Sequence, residues 1–142
     1  MEKIYSKLEK DKLLHIVVRK SDFKDQTRED LVPEENFIQC AKLHMDEGKS
    51  FRPHKHIKNK RTYEDKIAQE SWVVIQGSVK CYFYDIDDTL LETPVLKPGD
   101  ASFTLEGGHT YEILEDNTFV YEYKTGPYEG QSADKVFIQG EE

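Results

Sequence analysis

The stretch "FRPHKHIKNKRTYEDKIAQESWVVIQG" (residues 51–77) decides how the chain is read. His54 and His56 are spaced i and i+2, so on a strand they face the same way and share one space. Two imidazoles held together are a metal-site geometry, and the rest of the chain must supply the other donors. The charged run 58–69 follows, as a solvated or lid-like loop. Then "ESWVVIQG" (70–77) alternates as a strand, with Glu70, Trp72 and Val74 on one face. Glu70 heads an apolar stripe, and a carboxylate entering a core is costly unless it is paired or binds a metal.

On either side of this stretch the chain reads as short strands between turn signals. "LLHIVVRKSDF" (13–23), "FIQCAKLHM" (37–45) and "FRPHKHI" (51–57) read as strands, with 24–36 a loop and 46–50 a turn. "ESWVVIQG" and "SVKCYFYDI" (78–86) meet at Gly77 as a hairpin. "TLLETPVLK" (89–97), "ASFTL" (101–105), "HTYEILE" (109–115) and "TFVYEYKTG" (118–126) complete the series. "PGD" (98–100) is a tight turn, with proline setting φ and glycine taking the unusual conformation. The first ten residues are a short helix or a frayed arm, and the tail 127–142 packs through "KVFI". Many short strands with almost no helix predict an all-β sandwich or barrel, whose mouth suits a small-molecule pocket.

A chain of 142 residues fits one domain. With 37% hydrophobic and 34% charged residues, a small core under a polar surface is expected. The net charge of −8 argues against nucleic-acid or anionic-membrane partners. The apolar runs are too short to span a bilayer, and the N-terminus lacks the apolar region and cleavage site of a signal peptide. Cys40 and Cys81 sit inside apolar runs and read as reduced core thiols, so a cytoplasmic location is expected.

Further polar groups fall on inward faces. His109 shares a face with Tyr111 and Ile113, and Gln39 is the polar exception on the face of Phe37, Ala41 and Leu43. Three neutral imidazoles and one carboxylate suit Fe, Mn, Ni, Co or Zn. Arg52 is either a surface residue or a clamp for a carboxylate or phosphate. Gln39 is either a buried amide bonded to backbone or a ligand-binding group. Trp72 and Tyr111 are pocket wall, and flat aromatic faces suit sugar rings. On 118–124, either Phe119, Tyr121 and Tyr123 or Val120, Glu122 and Lys124 face inward. In the second case Glu122 and Lys124 are acid–base candidates, beside Tyr111. His15 and His44 stand outside the constellation.

"PHKH" (53–56), "ESWVVIQG" (70–77), "PGD" (98–100) and "EGGH" (106–109) together resemble the two motifs of the cupin superfamily. The resemblance covers roughly residues 37–128, with an N-terminal strand or arm at 1–23. The run "GGHTYEILEDNTFVYEYKTGPYEG" (107–130) is similar to small single-domain cupins encoded among bacterial surface-polysaccharide biosynthesis genes. This implies a jelly-roll barrel, a double-stranded β-helix, with one divalent transition metal held by His54, His56, Glu70 and His109. It also implies a homodimer, for which strand 13–23 is the expected interface element. The implied ligand is a small polar metabolite, such as a sugar or nucleotide-sugar. The implied chemistry is metal-assisted isomerisation or epimerisation. The alternatives are a non-catalytic metabolite-binding or regulatory module, an Fe(II) dioxygenase, and a metal-stabilised barrel with no ligand. The sequence departs from the family pattern at two places. Residues 57–69 insert between the second histidine and the glutamate, where the count back from Gly77 selects Glu70 over Gln69 and Glu64. Leu105 stands where the family has proline before the last histidine.

Overall fold

The computed structural model describes residues 1–22, 28–43, 46–47, 49–56, 67–126 and 136–138. Its strands are β1 (Glu2–Tyr5), β2 (Leu13–Val18), β3 (Arg28–Asp30), β4 (Ala41–Leu43), β5 (Glu70–Gln76) and β6 (Val79–Tyr84). They continue with β7 (Leu90–Glu92), β8 (Val95–Leu96), β9 (Ala101–Thr104), β10 (Gly108–Ile113) and β11 (Phe119–Lys124). Among the described residues one 3-10 turn, Lys20–Asp22, is the sole helical element. The protein is therefore all-β. No helix among the described residues is long and apolar enough to cross a membrane.

The larger sheet has the order β1-β2-β9-β5-β11, with every neighbouring pair antiparallel. In the smaller sheet β6 lies between β10 and β7 and also pairs β8, while β3 and β4 pair with each other. The two main sheets pack face to face. Leu14, Val17 and Val74 of the larger meet Val79, Phe83 and Leu96 of the smaller in one core cluster. The opposite face of the larger sheet is covered too. Leu31, Val32 and Ile38 lie on Ile16, Val18 and Phe103 in a second cluster. Two-sided burial explains why "LLHIVV" is a continuous apolar run instead of an alternating one. Each such side chain, fully buried, contributes roughly 1.5–3 kcal/mol.

Tight turns fix these strands. Gly99 in the "PGD" turn has φ +90°, as the sequence predicts. Asp100 then accepts from the Lys97 and Lys20 N–H groups at 3.0 and 2.9 Å and pairs with Arg19 at 3.2 Å. Asp85, at the end of β6, holds the N-terminal arm. It accepts from Ser6 Oγ at 2.6 Å and from the N–H groups of Lys7 and Ile86 at 2.7 and 2.8 Å. Burial pushes its carboxyl upward, but these donors outweigh that and hold it below the usual carboxylate range.

Several elements differ from the sequence reading. The N-terminal arm is a strand, because β1 finds a partner in β2 and buries Ile4. The strand expected over 13–23 stops at Val18, and Asp22 anchors the turn by accepting from the Arg19 N–H and the terminal ammonium. The strand lies inside its own sheet, between β1 and β9. Residues 24–36, read as a loop, contain β3. Of the described residues 37–43 only Ala41–Leu43 pairs, with β3. Residues 51–56 are irregular and exposed instead of forming a strand: no described strand pairs with them, and Pro53 offers no N–H. Pro94 splits 89–97 into β7 and β8. Cys40 and Cys81 are both free, as expected, and burial pushes the Cys81 thiol up to about 12. In the tail, Ile138 packs where Gly108 leaves room, while Val136 and Phe137 are exposed. The readings of His44, Met45, Glu64, the insertion 57–66 and "PYEG" (127–130) lie outside the described residues.

His15 is fully buried and stacks on Phe83, with ring centroids 4.5 Å apart. A carbonyl only accepts, so Nε2–H donates to Tyr84 O at 3.1 Å, and Nδ1 accepts from Thr104 Oγ1 at 3.2 Å. The neutral ring uses both nitrogens, and burial lowers its pKa from 6.5 to about 4. Below about pH 6.5 the unfolded chain takes up a proton that the folded chain refuses. The stability present above that pH is therefore lost as the pH falls to about 4, by about 3 kcal/mol. Urea unfolding at neutral and mildly acidic pH will show this loss, and His15→Gln will shrink it. An unchanged pH slope in the variant would assign the loss to other groups.

Gly77 has φ +78°, and a Cβ there would overlap Thr118, whose Cα would lie 2.8 Å away. Gly77→Ala is expected to cost roughly 1–3 kcal/mol, read from denaturant midpoints. A midpoint equal to wild type would show that the turn relaxes without strain.

Candidate metal and ligand site

Between the two sheets, at one end, the apolar packing gives way to polar groups. Alternation on β5 turns Glu70 and Trp72 toward the smaller sheet, together with Val74. On β10 the same rule turns His109 and Tyr111 to meet them. His109 Nε2–H donates to Glu70 Oε1 at 3.1 Å, across the space between the sheets. The Trp72 indole N–H is shared between Glu70 Oε1 at 3.2 Å and Glu122 Oε2 at 3.1 Å. Its ring stacks on Tyr111, with centroids 3.9 Å apart and planes 10° apart. Tyr111 OH and Ser102 Oγ lie 3.2 Å apart. Burial raises the Tyr111 pKa far above its ordinary value, against the Ser102 hydrogen bond. The phenol is thus a donor or acceptor in its neutral form and not a base near neutral pH.

The site answers the question left open about 118–124. Val120 packs into the core and Glu122 meets Trp72, so Val120, Glu122 and Lys124 face inward. Phe119, Tyr121 and Tyr123 face out. Lys124 stands opposite Glu70 in the β5–β11 register. Trp72 and Tyr111 spend one face of each ring on the other, so neither offers both faces to a ligand.

Two of the four expected metal donors, Glu70 and His109, are therefore neighbours. His54 and His56 keep each other's company, with ring centroids 5.4 Å apart, on the exposed segment 49–56. Among the described residues, no group of three or more His, Cys, Asp or Glu side chains converges as a metal would need. The donor chemistry still fits a divalent ion. With Nε2–H on Glu70, His109 Nδ1 keeps a lone pair, and that atom is buried with no hydrogen-bond partner. His54 Nδ1–H donates to Arg52 O at 3.1 Å, which leaves Nε2 with its lone pair. A metal-ligating histidine usually anchors its other nitrogen in this way.

Gln39 is not in the site. It is exposed, and its amide donates to Asn36 O at 2.7 Å and Pro33 O at 3.2 Å, closing the turn before β4. Ile38 takes the buried position instead. Arg52 is exposed beside His54. Gln69, one residue before Glu70, turns to the other face and is buried. It accepts from the Ile38 N–H at 2.9 Å and donates to Asn36 Oδ1 at 3.0 Å. The sequence reading passed over Ser102 and Thr104. Their signal was a hydroxyl at every second position of "ASFT", alternating with Ala101 and Phe103.

Comparison of the chain with protein-family models, curated proteins and solved structures finds no match.

The chain has eight tyrosines, and Tyr111 is expected to stay protonated beyond the ordinary range near pH 10. Spectrophotometric titration will show one phenol fewer ionising in the native protein than in the unfolded chain. Tyr111→Phe will remove that difference. If the variant left the native curve short by one phenol, another tyrosine would be the buried one.

Proposed function

We propose that the protein is a cupin-type barrel that binds one divalent transition metal through Glu70, His109, His54 and His56, with a small polar metabolite beside it. The contact between Glu70 and His109 from two facing sheets carries this reading. The unpartnered Nδ1 of His109 and the anchored ring of His54 support it. So does the sheet topology: β10 pairs only β6 among the described strands, so the edge beside His109 is open to another segment. Residues 51–56, ordered along that edge as a strand, would carry His54 and His56 to the same side of the sheet.

A metal bound there supplies Lewis-acid polarisation of a carbonyl or hydroxyl. The chain's own residues supply the rest. Trp72 N–H orients Glu70. Glu122 is an exposed carboxylate at the rim, suited to accept from a ligand hydroxyl or to take a proton. Lys124, on the same face, adds positive charge at the rim. Tyr111 and Trp72 wall the pocket. The substrate class suggested is a sugar or nucleotide-sugar, acted on by isomerisation or epimerisation. The second reading is a non-catalytic metabolite-binding or regulatory module. The capture of the Tyr111 hydroxyl by Ser102 favours it, because it leaves Glu122 as the main proton acceptor at the rim.

Elemental analysis of protein purified without added metal or chelator tests the reading, with Glu70→Ala, His109→Ala and His54→Ala beside it. Close to one metal per chain is expected in the wild type and a large loss in all three variants. Metal lost in His109→Ala but kept in His54→Ala would remove 51–56 from the site. A wild type that cannot be loaded with Mn, Fe(II), Co, Ni or Zn would overturn metal binding and leave the metabolite-binding module.

A further inference from the structure

Two adjacent glycines lead into His109, and they are glycine for different reasons. Gly107 takes φ +81° in the turn, whereas Gly108 is outside the positive-φ region, so its backbone would accept any residue. What Gly108 has no room for is a side chain. A Cβ there would overlap Ile138 Cδ1 of the C-terminal tail and lie 3.5 Å from Ile138 Cγ1 and 3.2 Å from Tyr84 Cβ. His109 turns inward to Glu70, so Gly108 turns to the outer face of the smaller sheet, opposite Tyr84 in the β10–β6 register. Ile138 is seated on that face. Among the described tail residues 136–138 it alone is packed: Val136 is 93% exposed and Phe137 76%. The tail is thus held, as far as 136–138 extend, by one isoleucine on one glycine.

We propose that Ile138 seated on Gly108 is a releasable latch through which the C-terminal tail controls how firmly His109 is held beside Glu70. A glycine at the head of a strand weakens it, because the backbone keeps more freedom and has no side chain to pack. Here the missing packing is supplied from the tail. With Ile138 docked, Gly108 is pinned between it and Tyr84. With the tail away, Gly108 regains its range of φ and ψ, and His109 shares the next peptide unit. The His109 ring has little else to resist that movement: Nε2–H is bonded to Glu70 and Nδ1 has no hydrogen-bond partner. The latch is also weak enough to open. Burying half of one isoleucine shifts a docking equilibrium roughly 10-fold, and the entropy of ordering the segment opposes it. Linkage then runs both ways. Whatever fixes His109 beside Glu70 favours the docked tail, and whatever draws the tail away loosens His109. The device needs the contact between Glu70 and His109, and it does not depend on what binds there.

Nuclear magnetic resonance on the full chain, stripped of metal and labelled at the isoleucine δ1 methyls, tests this. A nuclear Overhauser contact between the Ile138 δ1 methyl and the Gly108 α protons is expected in the wild type. It is expected to vanish in Gly108→Ala, where the new Cβ evicts the isoleucine. In Ile138→Asp, amide exchange over 108–111 should rise about 10-fold, while the amides of β1 and β2 keep their wild-type rates. That contrast separates release of the tail from a general loss of stability. Ile138→Leu should restore slow exchange, and Phe137→Asp, at an exposed neighbour, should leave both readouts unchanged. A wild type without the Ile138–Gly108 contact would overturn the proposal. So would exchange over 108–111 that Ile138→Asp leaves unchanged, or a rise spread equally over β1 and β2. Because the protein is metal-free throughout, failure of the metal reading and failure of the latch are told apart.

Discussion

The structure depends on β9, four residues long and buried throughout. It lies between β2 and β5, so its backbone is paired on both edges and its side chains must satisfy both faces of the larger sheet. Ala101 and Phe103 join the apolar cover. Ser102 and Thr104 take the inner face, where each hydroxyl has a partner: Tyr111 of the smaller sheet for Ser102, and His15 of the neighbouring strand β2 for Thr104. A hydroxyl buried in that position without a partner would cost about 1–3 kcal/mol. The polar groups on the inner face are therefore tied to one another, and the site begins where the apolar packing between the sheets ends.

From this follows the character of the site. Trp72 is held flat against Tyr111, which is held by Ser102, so the indole N–H has a fixed direction. That direction brings the Glu70 and Glu122 carboxylates to a common donor and turns Glu70 toward His109. The histidine keeps a buried lone pair, and the phenol is already engaged with Ser102. His54 and His56 are near each other on an exposed segment that has no strand partner among the described residues.

Much of this was legible in the sequence. Strict alternation put Glu70, Trp72 and Val74 on one face, and His109 with Tyr111 on another. "PGD" and Gly77 marked turns that the positive φ values bear out. Other elements were not legible, because their fate depends on partners distant in sequence. The N-terminal arm became a strand only because β2 had a free edge. Residues 37–43 and 51–56 have strand-like composition but form little or no strand, since β-propensity expresses a fit to neighbouring strands more than a backbone preference. Gln39 read as an inward polar residue only on the assumption that its strand existed.

By itself the sequence determined the all-β class, the inner-face pattern on β5 and β10, and the residue types that suit a divalent ion. These rest on period-two alternation and local turn chemistry, which need no knowledge of the partner strand. The tertiary structure decided which face of β11 turns inward, that His15 is buried and neutral, and that an aromatic stripe is left on the outside. Each depends on which surface another element covers. Burial is a property of two surfaces meeting, and a single strand's pattern states only that its two faces differ.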